Sequence, residues 1–369
     1  MTSKTIRYFT CFFMFCAAAM AHEATSLPLG DGHISTSAKV GYIFSCKTSF
    51  SGGGAYHAGD WIVGNRWNPN AKPIVQGKVM WPDHSFTVTT EGDKRVVKSN
   101  DLPAHPTGIF PIGYADPAYA FDTNPNSISK QSIVLTLPTN PQLADQPSCL
   151  PMGMIGIALT GIAIFNGLDD QGRDAAAHEV QDACNGHPER RGAYHYHNMS
   201  PCMTDQAGKQ GKHSDLAGYA LDGFGIYGQN GEEGKVLSNK DLDACHGHTH
   251  LISWNGVPQA IYHYHLTQEY PYTLGCFRGV VVQKMKSILP TKGDGPWSGA
   301  GSGAVSGGEG GMPNQHRQIL EKVAQELKIE VRELQRAIGP PPPNFSRAAQ
   351  ILGIDEKKMR AAFEKARGQ

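Results

Sequence analysis

The tetrapeptide Tyr-His-Tyr-His occurs twice in this chain, at residues 194–197 and again at residues 262–265. Each copy follows a near-copy of a second motif, Asp-Ala-Cys-x-Gly-His, at residues 182–187 and 243–248. Ten of the 16 histidines lie between His178 and His265. The fold must therefore give both motif pairs a similar local structure and concentrate imidazoles in one part of the molecule.

A third block extends the repeat. The sequence ALTGIAIF at residues 158–165 aligns with ALDGFGIY at residues 220–227. The three blocks follow one another in the same order at near-constant spacing, which predicts a duplicated unit over about 155–202 and 217–276. Two copies are too few for a solenoid, which needs about three. The simpler prediction is a pseudo-twofold pair of units that share one core.

The composition favours short strands joined by turns. The chain has 43 glycines and 24 prolines, which indicates many turns rather than long helices. A hairpin is predicted within residues 77–98, with its turn at Glu91-Gly92-Asp93. The fold class is predicted as mostly β, with an internally duplicated, disulfide-linked β body and a small α-helical C-terminal module.

The two ends of the chain differ from the body. Residues 1–21 have the pattern of a signal peptide: two basic residues, an apolar run and a small-x-small end at Ala19-Met20-Ala21. Residues 22–289 are predicted as the β domain, 290–313 as a Gly/Ser-rich linker and 314–369 as a helical tail. No segment after the signal is apolar enough to cross a bilayer. The sequence therefore predicts an exported protein, periplasmic or extracellular.

The net charge of zero conceals a division along the chain. Residues 22–313 carry 20 basic and 26 acidic side chains, whereas residues 314–369 carry 11 basic and seven acidic ones. An acidic, histidine-rich body is unsuited to nucleic acid and suited to a cation. The tail is interpreted as a small module for contact with a protein.

Six cysteines remain after the predicted signal is removed. An even number in an exported chain indicates disulfides. Six cysteines allow fifteen pairings, and the repeat suggests which one forms. Equivalent positions around the two tetrapeptides predict Cys184–Cys202 and Cys245–Cys276, which leaves Cys46–Cys149.

The tetrapeptides predict metal ligands. In a strand, alternate side chains share a face, so the two histidines of each copy would lie together with Cα atoms roughly 7 Å apart. The predicted ligands are His195 and His197 in one copy, His263 and His265 in the other. They can form one four-histidine site or two separate sites. Imidazole suits zinc, copper, iron and nickel, and zinc or copper is expected here.

Further ligands are expected from the second motif. His187 and His248 match across the copies and join the predicted metal set. The remaining candidates are less firmly placed: Asp182, Asp243, His178, His213, His246, His250 and His105. The motif also has a purely structural interpretation, in which the Asp caps a turn, the Cys forms a disulfide and the Gly bends the chain. The Tyr-His strands can likewise be read as a hydrogen-bonded aromatic core.

One acidic residue distinguishes the two copies. Asp222 of the second copy stands where the first has Thr160. If one copy has kept a working residue, Asp222 is the predicted catalytic base for a metal-bound water. The first hypothesis is therefore a metal-binding protein that acts as a metal-dependent hydrolase. The second is a non-enzymatic envelope or extracellular binding module that recognises a glycan or a protein partner.

The combination of motifs resembles a known family. The two Tyr-His-Tyr-His blocks, residues 182–187, the segment LDGFGIYG at 221–228 and the segment YPYTLGCF at 270–277 are together similar to the YHYH domain family. The likeness covers roughly residues 100–283. It implies an exported protein but carries over no catalytic residue, so the metal prediction depends on the spacing of the histidines alone.

Overall fold

The computed structural model describes residues 26–50, 52, 56–203, 211–281, 314–338 and 345–367. The predicted signal peptide (1–21) and the predicted linker (290–313) lie outside the described residues. Within the described ranges, no helix has the length and apolar character needed to cross a membrane. The protein is mostly β, as predicted, with several sheets, three disulfides and a helical C-terminal part.

Small sheets occupy the first half of the chain. Their strands are β1 (Leu27–Pro28), β2 (Ile34–Ser35), β3 (Ile43–Phe44), β4 (Ile62–Val63), β5 (Arg66–Trp67), β6 (Phe86–Glu91), β7 (Lys94–Ser99), β8 (Ile133–Pro138) and β9 (Leu143–Ser148). Strands β6, β7 and β8 form an antiparallel sheet in which Gly92 turns the predicted hairpin at a φ of 64°. In β8, Ile133, Leu135 and Leu137 point into the core and alternate with more exposed residues.

An eight-stranded sheet forms the centre of the molecule. Its strands are β10 (Met154–Ala158), β11 (Ala163–Phe165), β12 (Gly186–Pro188), β13 (Tyr194–Tyr196), β14 (Leu216–Ala220), β15 (Gly225–Tyr227), β16 (Gly247–Trp254) and β17 (Val257–His265). The order across the sheet is β12-β13-β11-β10-β14-β15-β17-β16. A last short strand, β18 (Phe277–Gly279), pairs with β9.

The two halves of this sheet have the same pairing pattern. In one half β11 runs antiparallel to β10 and parallel to β13, which in turn is antiparallel to β12. In the other half β15, β14, β17 and β16 repeat these relations. A duplicated unit would produce this order, although the duplication itself stays a prediction from the sequence. The halves meet where β10 pairs antiparallel with β14.

The junction between the halves requires glycine. A Cβ on Gly218 would lie 2.4 Å from the carbonyl oxygen of Ile157, and a Cβ on Gly156 would lie 2.8 Å from that of Tyr219. Such contacts are shorter than real side chains tolerate, because carbon and oxygen cannot approach so closely without repulsion. Glycine at these two positions therefore lets β10 and β14 pair closely, which makes one continuous sheet from the two halves.

Three disulfides link the β body. They join Cys46 to Cys149, Cys184 to Cys202, and Cys245 to Cys276. These are the same pairs that the repeat suggests. The first closes a separation of 103 residues and so ties the N-terminal segment to the start of the central sheet. Disulfides form and persist in oxidising compartments, so three of them fit a protein outside the cytoplasm.

Helices are few in the body and dominate the tail. The body contains α1 (Ala175–His178), whose first turn is capped by the Asp174 side chain. The tail contains α2 (Asn314–Leu327), α3 (Val331–Ile338), α4 (Phe345–Leu352) and α5 (Glu356–Arg367). Helix α2 packs on α5 and α3 on α4 around their own buried cluster, which includes Val323, Leu334 and Phe363. The tail thus has a small core of its own.

Candidate metal centres

The tetrapeptide strands separate tyrosines from histidines, as their alternation predicts. The tyrosines of β13 and β17 are buried, and the buried hydroxyls contact polar side chains on that face. The histidines point to the other face. Because each strand pairs with a neighbour that also carries a histidine in register, His187 opposite His195 and His248 opposite His263, three imidazoles collect on each half of the sheet.

Cluster 1 is formed by His187, His195, His197 and Glu179. The Nε2 atoms of His195 and His197 lie 3.1 Å apart. Glu179 Oε2 lies 3.1 Å from His197 Nε2 and 3.4 Å from His187 Nε2. The Glu179 oxygen and both nitrogens of the His187 ring are buried without a hydrogen-bond partner of suitable geometry. The three imidazoles therefore offer donor atoms within 4.8 Å of one another, and Glu179 Oε2 lies beside two of them.

Cluster 2 is formed by four histidines: His213, His248, His263 and His265. Two pairs of Nε2 atoms face each other at 3.1 Å, His213 with His263 and His248 with His265. All four donor atoms lie within 4.8 Å of one another. The sequence left open whether the tetrapeptides share one site, and the structure instead places the two sets of histidines in separate clusters.

The hydrogen bonds of the rings show which nitrogen is free. In cluster 1, His195 Nδ1 lies 3.1 Å from Ala193 O, and His197 Nδ1 lies 2.6 Å from Asn166 O. In cluster 2, His263 Nδ1 lies 3.0 Å from Ile261 O, and His265 Nδ1 lies 2.6 Å from Gly228 O. A carbonyl only accepts, so each Nδ1 carries the proton and donates it. In the neutral ring Nε2 then holds a lone pair. Two lone pairs that face each other at 3.1 Å repel unless a proton or a metal ion lies between them.

The spacing of the donor atoms fits a tetrahedral ion. Bonds of 2.0–2.1 Å from zinc to imidazole nitrogen or carboxylate oxygen place neighbouring donors about 3.3 Å apart at the tetrahedral angle. Three separations in cluster 1, between His195 and His197 and from Glu179 to His197 and His187, are 3.1–3.4 Å and bracket that value. The backbone carbonyls that fix Nδ1 are the usual outer partners of metal-bound histidine. Both clusters therefore fit a transition ion such as zinc or copper.

Burial keeps most of these rings neutral. In cluster 1, burial and the neighbouring imidazoles hold the pKa of His187 and His195 well below the usual range. Burial also acts to lower the pKa of His197, but the Glu179 carboxylate outweighs it and raises the pKa. In cluster 2, burial lowers the pKa of His263 to about 3. Neutral imidazoles are the form that binds metal.

A large cavity opens onto cluster 1. Its volume is about 720 Å³, and its lining includes the three histidines and Glu179. Apolar residues such as Phe165 and carboxylates such as Asp170 form other parts of the wall. Phe165 also stacks on the His195 ring, with ring centroids 3.9 Å apart. A pocket of this size can hold a ligand of several hundred daltons beside the four donor atoms.

Comparison with known proteins places this region in a family. Residues 134–237 and 231–279 match the family described as YHYH protein. This segment of the chain is a YHYH domain. The match contains both clusters and the whole eight-stranded sheet. No curated protein gives a significant match, and no solved structure does.

In the YHYH domain the Asp-Ala-Cys-x-Gly-His motif builds a turn. Asp182 Oδ1 accepts hydrogen bonds from the backbone N–H groups of Cys184 and Gly186, and Asp243 does the same in the second copy. The Tyr194 hydroxyl also donates to Asp182. These aspartates contribute no donor to either cluster. The structural interpretation of the motif is therefore correct for its Asp, and the final His is the residue that reaches the cluster.

The predicted base Asp222 lies on the tyrosine face. Its carboxylate is fully buried and accepts hydrogen bonds from the Tyr264 hydroxyl at 2.5 Å and the Gly279 N–H at 2.9 Å. Burial raises its pKa. The histidines of β17 point to the opposite face of the strand, so Asp222 contacts the core rather than cluster 2. We therefore assign it a structural role in place of the catalytic one.

The other histidine candidates have separate partners. His178 contacts Asp31 at 2.8 Å, His246 shares a hydrogen bond with Thr267, and His250 contacts Glu232 at 3.0 Å. His105 lies near Cys184 and Cys202, but those sulfurs form a disulfide and offer no thiolate. The His105 Nε2 instead accepts from the Tyr196 hydroxyl at 2.5 Å, because its Nδ1 donates to Pro106 O.

Sequence reasoning missed Glu179 as a member of cluster 1. It directly follows α1, in a segment whose backbone carbonyls accept hydrogen bonds from residues distant in the sequence. The buried Lys72 ammonium donates to the carbonyl oxygens of Ala176 and Glu179 at 2.5 and 2.8 Å. Trp61 donates to Ala177 O at 2.9 Å. The only sequence signal was its neighbour His178, which stood among the less firmly placed candidates.

Proposed function

We propose that this protein is an exported metalloprotein that performs metal-assisted hydrolysis at cluster 1. One observation carries the proposal: three imidazoles offer donor atoms within 4.8 Å of one another, with the Glu179 carboxylate beside two of them, on the wall of a 720 Å³ cavity. Catalytic zinc sites typically have three protein ligands and a fourth coordination position that water or substrate can occupy. Export is supported by the signal-like N-terminus and by three disulfides.

The donor set fits a zinc ion better than a harder cation. Calcium and magnesium require several oxygen ligands, whereas cluster 1 offers three imidazoles and one carboxylate. A bound ion of this kind supplies Lewis acidity and lowers the pKa of a water molecule bound to it. His195 and His197 hold their Nε2 atoms toward that position, because the Ala193 and Asn166 carbonyls fix both rings.

Glu179 is the proposed general base. Its Oε2 atom lies beside His187 and His197, and the residue lines the cavity, so the carboxylate would accept a proton from a water molecule that enters there. Lys72 keeps the backbone of Glu179 in place and therefore the carboxylate at the cavity wall. A substrate enters from the cavity side, where Phe165 and other apolar groups exclude bulk water from part of the site.

Substitution of Glu179 by glutamine tests this role. We expect zinc-loaded wild-type protein to hydrolyse an activated ester such as p-nitrophenyl acetate. Glu179→Gln should lower the rate by about 10²–10³-fold, because the amide cannot accept the proton. The measurement is the initial rate at saturating zinc, with bound zinc counted in the same samples.

The control is Asp170→Asn, which changes an exposed carboxylate on the same cavity wall. It should leave the rate within about twofold. Equal rates for wild type and Glu179→Gln would contradict the assignment of the base. Stoichiometric zinc with no hydrolysis of esters, phosphoesters or amides would instead favour the non-enzymatic alternative, a binding module for a glycan or protein partner.

A further inference from the structure

We propose that cluster 2 is a second, structural metal site, which binds a zinc or copper(II) ion through imidazoles alone. His213, His248, His263 and His265 supply the four ligands. The site shares no residue with cluster 1. It therefore goes beyond the proposed hydrolysis and does not depend on it.

The ring contacts of cluster 2 favour a bound cation. His213 Nδ1 lies 2.8 Å from Ser214 O, and His263 and His265 donate from Nδ1 to backbone carbonyls as well. The Nε2 atoms of His213 and His263 therefore both carry lone pairs and lie 3.1 Å apart, and His265 Nε2 lies 3.1 Å from His248 Nε2. Cluster 1 contains a carboxylate that can share a proton with an imidazole, but cluster 2 has none among its four members. A metal ion satisfies all four lone pairs at once.

The ligand set indicates a closed site. Four protein ligands fill a tetrahedral shell and leave no position for substrate, which is the pattern of structural zinc sites. None of the four histidines lines the 720 Å³ cavity that opens onto cluster 1. The two clusters thus differ in the way that catalytic and structural metal sites differ elsewhere.

The bound ion would join three segments of the chain. His213 precedes β14, His248 lies in β16, and the remaining two ligands lie in β17. Strands β16 and β17 already pair through backbone hydrogen bonds. His213 is contributed from outside that pair, so the ion would anchor the segment leading into β14 to the edge of the central sheet.

The ion can reach this site from solvent. His213 and His248 are half-buried, whereas His263 and His265 are buried. The half-buried pair lies on the solvent side of the cluster. This arrangement also offers a mild test, because replacing His213 removes one ligand without opening the core of the sheet.

The experiment compares His213→Ala with His250→Ala. His250 is a good control because its ring centroid lies 6.1 Å from those of His213 and His248, while its own contact is to Glu232. Tag-free protein is stripped with a chelator, reconstituted with zinc, desalted and analysed for metal per chain. We expect two zinc ions for wild type and for His250→Ala, and one for His213→Ala. Zinc should also raise the Tm of His213→Ala less than that of wild type.

Two zinc ions retained by folded His213→Ala would overturn the proposal. A single ion in wild type that His213→Ala keeps would do the same. If His213→Ala does not fold, cobalt(II) titration of His195→Ala, which lacks a proposed ligand of cluster 1, decides: absorption typical of tetrahedral cobalt should rise to one equivalent, and the absence of that absorption would overturn the proposal. The hydrolysis proposal fails if Glu179→Gln keeps the wild-type rate or if wild type hydrolyses no ester. Neither result changes the metal bound at cluster 2, so the two proposals can fail independently.

Discussion

At the scale of single residues, the site depends on which nitrogen of each ring is bound to the backbone. The same side chain, histidine, is a proposed ligand where a carbonyl fixes Nδ1 and Nε2 faces other donor atoms. It is structural where Nε2 itself has a partner, as in His246 with Thr267. The sequence motif alone cannot distinguish these cases, because the carbonyl partners of His197 and His265 are those of Asn166 and Gly228, which lie elsewhere in the chain.

Asp222 gives a residue-scale prediction. The fully buried Asp222 carboxylate accepts hydrogen bonds from the Tyr264 hydroxyl and the Gly279 N–H. In Asp222→Asn the new amide N–H group would face one of these donors and leave it without an acceptor. A buried donor left without an acceptor costs about 1–3 kcal/mol. We expect a lower free energy of unfolding by about that amount in urea denaturation, with two metal ions still bound per folded chain.

A different result for Asp222→Asn would contradict its structural role. If the variant kept wild-type stability and lost ester hydrolysis, Asp222 would belong to the chemistry after all. Thr160→Val provides the matched change at the equivalent position of the first half, where the hydroxyl lies 3.3 Å from the Tyr196 hydroxyl. Its effect on stability should be smaller, because no carboxylate is involved.

At the scale of elements, α1 links the N-terminal segment, the second half of the sheet and cluster 1. Asp174 caps α1, and its carboxylate accepts from Gly30 N–H at 2.9 Å and from the Tyr272 hydroxyl at 2.7 Å. Five residues later the chain reaches Glu179. The helix is only one turn long, so these contacts rather than helix propensity hold it.

The cap of α1 should make stability depend on pH. Burial raises the pKa of Asp174 to about 6, whereas its unfolded value is about 3.8. The unfolded chain then releases this proton at lower pH than the folded protein does. Stability from this group is therefore complete below about pH 4 and falls as pH rises toward 6, by about 3 kcal/mol at most.

Asp174→Asn removes that titration. We expect its free energy of unfolding to change less between pH 4 and 6 than that of wild type, measured by urea denaturation at half-unit pH steps. A shallower fall should remain, because burial also raises the pKa of Asp122 to about 6. Asp83→Asn, at an exposed aspartate paired with Lys130, is the control. An unchanged pH profile for Asp174→Asn would contradict this account of the cap.

The elements also show what the sequence could predict. Alternation placed the tetrapeptide histidines on one face, and the repeat selected the three disulfides that form. Glu179 of cluster 1 escaped prediction, and His213 of cluster 2 was named only among the less firmly placed candidates. Glu179 follows β11 in the first half, whereas His213 precedes β14 in the second, so no internal alignment relates them. Loop packing through Lys72 and Trp61 sets the first position, and such long-range contacts leave no periodic signal.

At the scale of the whole molecule, the central sheet carries two related clusters with different fourth members. Cluster 1 has a carboxylate beside its three histidines and lines the cavity. Cluster 2 has a fourth histidine instead, and none of its members lines that cavity. The close pairing of β10 and β14, which Gly156 and Gly218 permit, joins the two halves in one sheet. Because of this difference, we propose hydrolysis at cluster 1 and a structural metal site at cluster 2.

The metal content of tag-free protein tests the central claim most directly. After zinc reconstitution and desalting, wild type should hold two zinc ions per chain, His195→Ala and His263→Ala one each, and the double variant none. Circular dichroism of the same samples confirms that each variant is folded. Substoichiometric zinc in wild type, unchanged by the double substitution, would contradict the assignment of both clusters as metal sites.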